Sequence, residues 1–304
     1  MSRSSDTPSG TTPHPSGRPL KRDMEPEIRT EFQRGGDRQT YSDFLALDQL
    51  LNAQVTFQDP PQRDELMFII IHQVAELWLK LIRSELEDCV DSLARQDLKR
   101  CDKALARVKA IQEQLISSWK VLQTMTVTDY VAFRHALGHS SGFQSWGYRL
   151  IEFALGNKDA NHLKAHAHDP DATARLQAAL EAPSVYDATL QMMKERGYAI
   201  PDDILSRDVS EPYSGDERMV AIWCDIYRSP DQDWALYSLA EKLMDVEGLF
   251  QRWRFDHMST VERIIGHNKG TGGSSGVGYL KAALNLRFFH DLYDVRNAVV
   301  NAGP

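Results

Sequence analysis

The sequence predicts an all-α fold, a helical bundle built on long helices. Residues 62–169 run for 108 positions without proline and hold glycine only at 138, 142, 147 and 156. Those two residue types are the ones that interrupt helices. Apolar residues in the long segments recur every three or four positions, the helical spacing. No segment alternates apolar and polar residues between turn signals, so no strand or hairpin is expected.

The elements follow in order. Within residues 1–40, Ser, Thr, Pro and Gly fill 19 places and the charges nearly cancel, seven basic against six acidic. So little apolar surface cannot offset the entropy of ordering, and a disordered tail is expected. Residues 41–304 read as one domain. Phe44, Leu45, Leu47, Leu50 and Leu51 mark a short helix at its start. Ile70, Val74, Leu77 and Leu81 begin a long one, continued by Ile82, Leu86, Cys89 and Leu93. From Phe68 to Ile82 apolar residues wrap nearly round that helix, which places this half at the centre of a bundle.

A second helix runs from about Gln96 to Met125, with Leu105, Val108, Ile111, Leu115, Trp119 and Leu122 on one stripe. A short third holds Tyr130, Phe133 and Arg134. Residues 157–230 alternate brief periodic runs with Pro, Asp and Asn, so small helices and loops are expected there. The clearest helix comes last: Leu236, Leu239, Leu243, Val246, Phe250, Trp253, His257, Val261 and Ile264 share one seam.

Composition excludes several functions. The 304 residues are 42% hydrophobic and 26% charged, enough for a sizeable core, and the net charge of −8 argues against nucleic acid or an acidic membrane as partner. No apolar run approaches the roughly 18 residues of a membrane span. Cys89, Cys101 and Cys224 lie at least twelve positions apart, so there is no CxxC zinc knuckle or redox pair and no CxxCH for covalent haem. With no apolar leader near the start, a cytoplasmic protein is expected.

Two histidines stand out. His257 occupies a seam position where an apolar residue is expected, and His72 follows Ile69-Ile70-Ile71 on the most apolar helix. A core imidazole needs a partner, either a carbonyl or a metal. Phe68 and Glu76 flank His72 at four residues either side, on its face. No HExxH is present, and no histidine has glutamate three positions before it, so zincin and di-iron bundle readings both fail. A haem held between two isolated histidines remains as the sharper alternative to ordinary core packing. His162, His166 and His168 lie in a polar stretch and read as a solvated loop.

Arg134 sits near the apolar side of its short helix. Its fork pairs either with a carboxylate of the protein or with that of an amino-acid or keto-acid ligand. Gly270–Gly278 reads Gly-Thr-Gly-Gly-Ser-Ser-Gly-Val-Gly and matches neither phosphate-loop pattern. It formally contains GxSxG around Ser274, but a nucleophile elbow needs a preceding strand, and a helix precedes this one. The loop is either a mobile flap whose amides and hydroxyls close over an anion or zwitterion, or a plain linker. Ser140–Ser145 is a second small-residue loop, just after Arg134.

Together these segments resemble the tryptophan 2,3-dioxygenase family, from Tyr41 to about Val295. The resemblance is carried by Met67–Trp78 (MFIIIHQVAELW), Phe133-Arg134, Ser140–Ser145 (SSGFQS), Tyr148–Glu152 (YRLIE), Trp253–His257 (WRFDH), Ile265-Gly266 and Gly270–Gly278. It implies a non-covalent haem b, active as Fe(II), that inserts both atoms of O₂ across the indole C2–C3 bond of L-tryptophan. The product is N-formyl-L-kynurenine, the first step of tryptophan degradation by the kynurenine pathway.

Carried over residue by residue, the resemblance implies that His257 is the proximal iron ligand and His72 the distal, catalytic histidine near the indole nitrogen. Arg134 would clamp the substrate carboxylate, and Thr271 would close over the ammonium and carboxylate. Phe68 would pack on the indole and Tyr130 would shape the carboxylate end. Tyr41 and Leu45 would approach from a neighbouring subunit of a homotetramer. Two positions depart from the family pattern: Phe44 replaces a frequent tyrosine, and Gly266-His-Asn-Lys-Gly270 carries its lysine one place late. Competing readings are a serine hydrolase using Ser274, a haem sensor or carrier, and a scaffold with both histidines in its core.

Overall fold

The computed structural model describes residues 40–301. They form α-helices and two short 3₁₀ turns, with no strand among the described residues, as the all-α expectation requires. The tail expected over 1–40 lies outside the described residues apart from Thr40. The chain divides at Ala53 into a small N-terminal unit and a larger body that begins at Gln54.

The small unit holds α1 (Tyr41–Leu45) and α2 (Leu47–Leu51). Thr40 and Asp43 cap α1 reciprocally, each side chain meeting the other's backbone N–H. The single short helix expected here is two, because Ala46 turns left-handed at φ 49° and ends α1.

In the body, α3 (Arg63–Ala94) and α4 (Leu98–Leu122) form an antiparallel hairpin. Gln96, at φ 60°, makes the turn, and Asp97 caps α4 by accepting the Arg100 N–H. Ile82, Leu86 and Leu93 on α3 and Leu105 and Val108 on α4 are fully buried in one core. Truncating one such leucine to alanine costs about 2–5 kcal/mol. The same hairpin corrects the cysteine reading: Cys89 and Cys101, twelve positions apart, are joined as a disulfide, with Cα atoms 4.4 Å apart. Spacing along the chain misses a pair that two antiparallel helices bring together.

The chain continues through α5 (Val127–Phe133), a 3₁₀ turn over Arg134–Leu137, a second over Gly142–Gln144, and α6 (Trp146–Ala154). Small helices follow as expected: α7 (Asn161–Lys164), α8 (Pro170–Glu181), α9 (Val185–Glu195), α10 (Asp202–Leu205) and α11 (Glu217–Arg228). The long seam forms α12 (Trp234–Ile265), and α13 (Val277–Ala283) and α14 (His290–Asn301) close the body.

The helix α4 packs closely against both α3 and α12, and no comparable contact joins those two to each other among the described residues. The α6 and α9 helices pack on α3, α13 on α12, and α11 on α14. Two long helices flanking a third leave a gap between their outer halves, and the site lies there.

One expectation fails on α3. Apolar wrapping places its first half at the bundle centre, yet Leu66, Ile70, Val74, Leu77 and Leu81 form an outer stripe, from 36% exposed at Leu81 to 49% at Leu77. Residues spaced by three and four share a face, and a helix apolar all round can bury only the faces that neighbours in its own chain reach. Among the described residues, no helix is long and apolar enough to cross a membrane.

Candidate active site

Two adjoining cavities occupy the gap between α3 and α12. His72 of α3, Trp119 of α4 and His257 of α12 line both, together with Phe143 and Tyr279. Helical spacing explains the placement. Phe68, His72 and Glu76 follow one another at four-residue steps on α3, while His257 lies one turn beyond Trp253 on α12.

The His72 ring is oriented by its own helix. Its Nδ1 lies 2.7 Å from the Phe68 carbonyl oxygen, an acceptor, so Nδ1 carries the proton and donates. Burial lowers its pKa, and the carbonyl contact opposes that less strongly. The ring is therefore neutral at pH 7 with Nε2 left as an acceptor. The Phe68 ring packs on it at 4.1 Å between centroids and meets Phe133 at 5.4 Å.

His257 differs. Burial first, and the neighbouring His72 second, push its pKa down to about 4, and no hydrogen bond supports the ring among the described residues. The surface it retains faces the cavity. Aromatic rings hold it instead: Trp119 stacks at 4.7 Å with planes 7° apart, and Trp253 meets it at 5.7 Å. A neutral imidazole with a free lone pair, set in an aromatic wall, is the form that ligates a metal.

The second cavity is also lined by Phe68, Tyr130, Ser141, Gly142, Thr271 and Ser274. Thr126 and Asp129 cap α5 reciprocally and so fix Tyr130 near its end. The two small-residue loops touch, with the Thr271 hydroxyl donating to the Ser140 carbonyl at 2.5 Å. Arg134 stands beside these walls rather than among them. Its Nη2 donates to the Lys269 carbonyl at 2.7 Å, and its Nε is buried without a partner among the described residues. Tyr41 and Leu45 lie on α1 in the separate N-terminal unit, where they are 75% and 39% exposed.

Several wall residues are given no role by the sequence, although they lie in segments that carry the resemblance. Arg149, Glu152 and Arg254 are buried side by side on the first cavity. Glu152 receives Arg149 Nη1 at 2.5 Å and Arg254 Nη2 at 2.9 Å, while Arg254 Nε donates to the Tyr148 hydroxyl at 2.9 Å. Removing one member of such a buried set costs about 3–5 kcal/mol, because a charge is left unpaired. The available clue was the charge itself, on helix faces that otherwise read as apolar. Glu76 lines this cavity too; burial raises its carboxyl pKa, and the Ser145 hydroxyl donates to it at 2.6 Å.

Two further readings change. His162 lines the first cavity and His166 is buried, so that stretch is not the solvated loop expected, although no metal-binding cluster exists among the described residues. Ser274 follows a helix and a loop rather than a strand, and its hydroxyl accepts the Gly276 N–H, so the elbow geometry a hydrolase needs is absent there.

The family model described as tryptophan 2,3-dioxygenase matches residues 26–299. The chain is 49% identical over 273 residues to the tryptophan 2,3-dioxygenase of a Bacillus cereus strain, across 90% of this chain and 96% of that protein. It is 46% identical over 275 residues to the enzyme of that name from Shewanella woodyi, across 90% and 94%. With the one from Xanthomonas euvesicatoria pv. vesicatoria it shares 48% over 278 residues, across 91% and 92%.

Proposed function

The chain belongs to the tryptophan 2,3-dioxygenase family and its activity is tryptophan 2,3-dioxygenation; we propose that it works through a non-covalent haem b held between α3 and α12. The carrying observation is His257, a half-buried neutral imidazole lining both cavities, with no protein hydrogen bond among the described residues and with His72 nearby. The residues present fit that group: an imidazole donor with no hydrogen-bond partner among the described residues, and aromatic walls around it. When bound through His257, the haem iron supplies the O₂ chemistry that no side chain here can provide.

The protein's own residues do the rest. Phe68 covers the flat face of the substrate indole. His72 Nε2 accepts the indole N–H and sets the ring's orientation. It does not remove that proton, since an imidazole with a pKa of about 6.5 or below is far too weak a base for it. Arg134 shares its guanidinium with the substrate carboxylate, a charge-assisted pairing that its buried, unpartnered Nε favours. Thr271 closes over the zwitterionic end, and Tyr130 shapes it. A site built for a carboxylate discriminates against indoles that lack one, because its buried donors are then left unpaired.

Assembly follows the same reading: a homotetramer in which the N-terminal helix, with Tyr41 and Leu45, reaches a neighbouring subunit's site. The apolar stripe Leu66–Leu81 on α3 and the exposed Tyr41 and Phe44 support it, since such surfaces call for cover. The domain proposed is 41–304, and the setting proposed is the cytoplasm.

Replacing His257 with alanine tests the core of the proposal. The parent protein, loaded with haem, shows a Soret band and forms N-formylkynurenine from L-tryptophan and O₂, while His257→Ala loses the parental spectrum and turnover. Equal haem binding and activity in that variant would overturn it.

A further inference from the structure

Trp119 lies on α4, between the helices that carry the two histidines. Its ring and that of His257 are parallel, 7° apart at 4.7 Å, while Trp253 stands 5.6 Å from Trp119 and 5.7 Å from His257. The Trp119 side chain is 8% exposed, and its Nε1 is buried with no acceptor among the described residues. For filling space alone this is a poor choice, because an unsatisfied buried donor costs about 1–3 kcal/mol and an aliphatic side chain carries none. An aromatic face does what an aliphatic one cannot. It restrains the rotation of a stacked imidazole, and it presents electron density to any positive charge that ring acquires.

We propose that Trp119 is a positioning residue for His257, setting the orientation and donor strength of its imidazole towards the haem iron. The inference rests on the haem reading above. An imidazole that donates its lone pair to a metal becomes more positive, and the indole face stabilises that charge. Oxidised iron, which draws more strongly on the ligand, gains more than reduced iron does. Trp119 therefore strengthens haem binding and lowers the iron's reduction potential.

The test uses the full-length protein as parent, Trp119→Phe, Trp119→Met and His257→Ala. Each apoprotein is melted, titrated with haemin by absorbance, and, once loaded, examined for its reduction potential and its iron–imidazole stretch. A graded series is expected. Trp119→Met binds haem about tenfold more weakly, the loss of one stacking interaction, with a raised potential and a shifted stretch. Trp119→Phe moves the same way by less and thereby rescues the methionine defect.

Should the methionine variant fail to fold, the phenylalanine variant carries the test, and its stretch and potential must still move in that direction. A parental stretch and potential in the variants that fold sinks the Trp119 inference, even if their melting points fall. Failure of the parent to bind haem, or an unchanged spectrum in His257→Ala, sinks the haem reading instead.

Discussion

Gly272 and Ser141 approach so closely that a Cβ on Gly272 would stand 2.7 Å from the Ser141 Cβ. This is where the two small-residue loops meet, beside the Thr271 hydrogen bond to the Ser140 carbonyl. A Cβ atom is not the far end of a flexible side chain, so a methyl group at 272 must push the loops apart. Gly272→Ala should raise the KM for L-tryptophan about tenfold while haem content stays parental. Steady-state kinetics with a Soret measurement decides it, and an unchanged KM removes the loop contact from substrate capture.

Arg134→Ala should raise KM and lower kcat together, with kcat/KM falling by about tenfold to a hundredfold, the value of a charge-assisted hydrogen bond. The fall in kcat follows because a substrate loose at its carboxylate presents its ring badly. The variant should also lose its preference for tryptophan over indoles without a carboxylate. Parental kinetics and parental preference would take Arg134 out of the site.

His72→Ala should slow turnover by about tenfold without abolishing it, since the change removes an orienting hydrogen bond of ordinary strength. Haem content should be retained. Complete loss of turnover with haem intact would show instead that His72 acts as an essential base.

Apoprotein stability should fall as acid is added, with the sign set by His257. Its pKa is about 4 in the fold, against about 6.5 in an unfolded chain. Between those values the unfolded state takes up a proton that the folded state refuses, so stability rises with pH there. It is full above about 6.5, drops by about 3 kcal/mol as pH falls to 4, and levels off below. Urea unfolding across that window should show the His257 share of this limb in the parent, and His257→Leu should lack it. Equal slopes in the two proteins refute the assignment.

The proposed assembly covers the outer stripe of α3. Leu77, 49% exposed, should tolerate lysine within a monomer but not inside an apolar subunit interface, where an unpaired charge is costly. Light scattering after size exclusion should give a tetramer mass for the parent and a smaller species for Leu77→Lys. A tetramer that survives Leu77→Lys and Val74→Lys together would place the interface elsewhere.

Much of this architecture is legible in the chain. The three- and four-residue spacing of α3, α4 and α12 is a local property, and it locates each helix within a few residues. His72 and His257 stand out for the same reason: each interrupts an apolar stripe, and an imidazole there demands an explanation. The Gly270–Gly278 loop stands out by composition, and Arg134 by its place beside Phe133. The resemblance then joins these separate anomalies into one site.

Other features are invisible in the chain because they depend on which helices meet. Periodicity says that Trp119 is on the buried face of α4; only the packing of α4 against α12 brings its ring onto His257. Arg149, Glu152 and Arg254 read as scattered charges until α6 and α12 bring them together. Spacing keeps Cys89 and Cys101 apart until the hairpin closes, and leaves Ile70 and Leu77 inside a core that the chain's own helices do not cover. Sequence by itself therefore determined the helices, their apolar faces and the polar residues that break them. Tertiary structure decided which faces share a cavity, because a helix repeat records the direction of burial and not the identity of the neighbour that provides it.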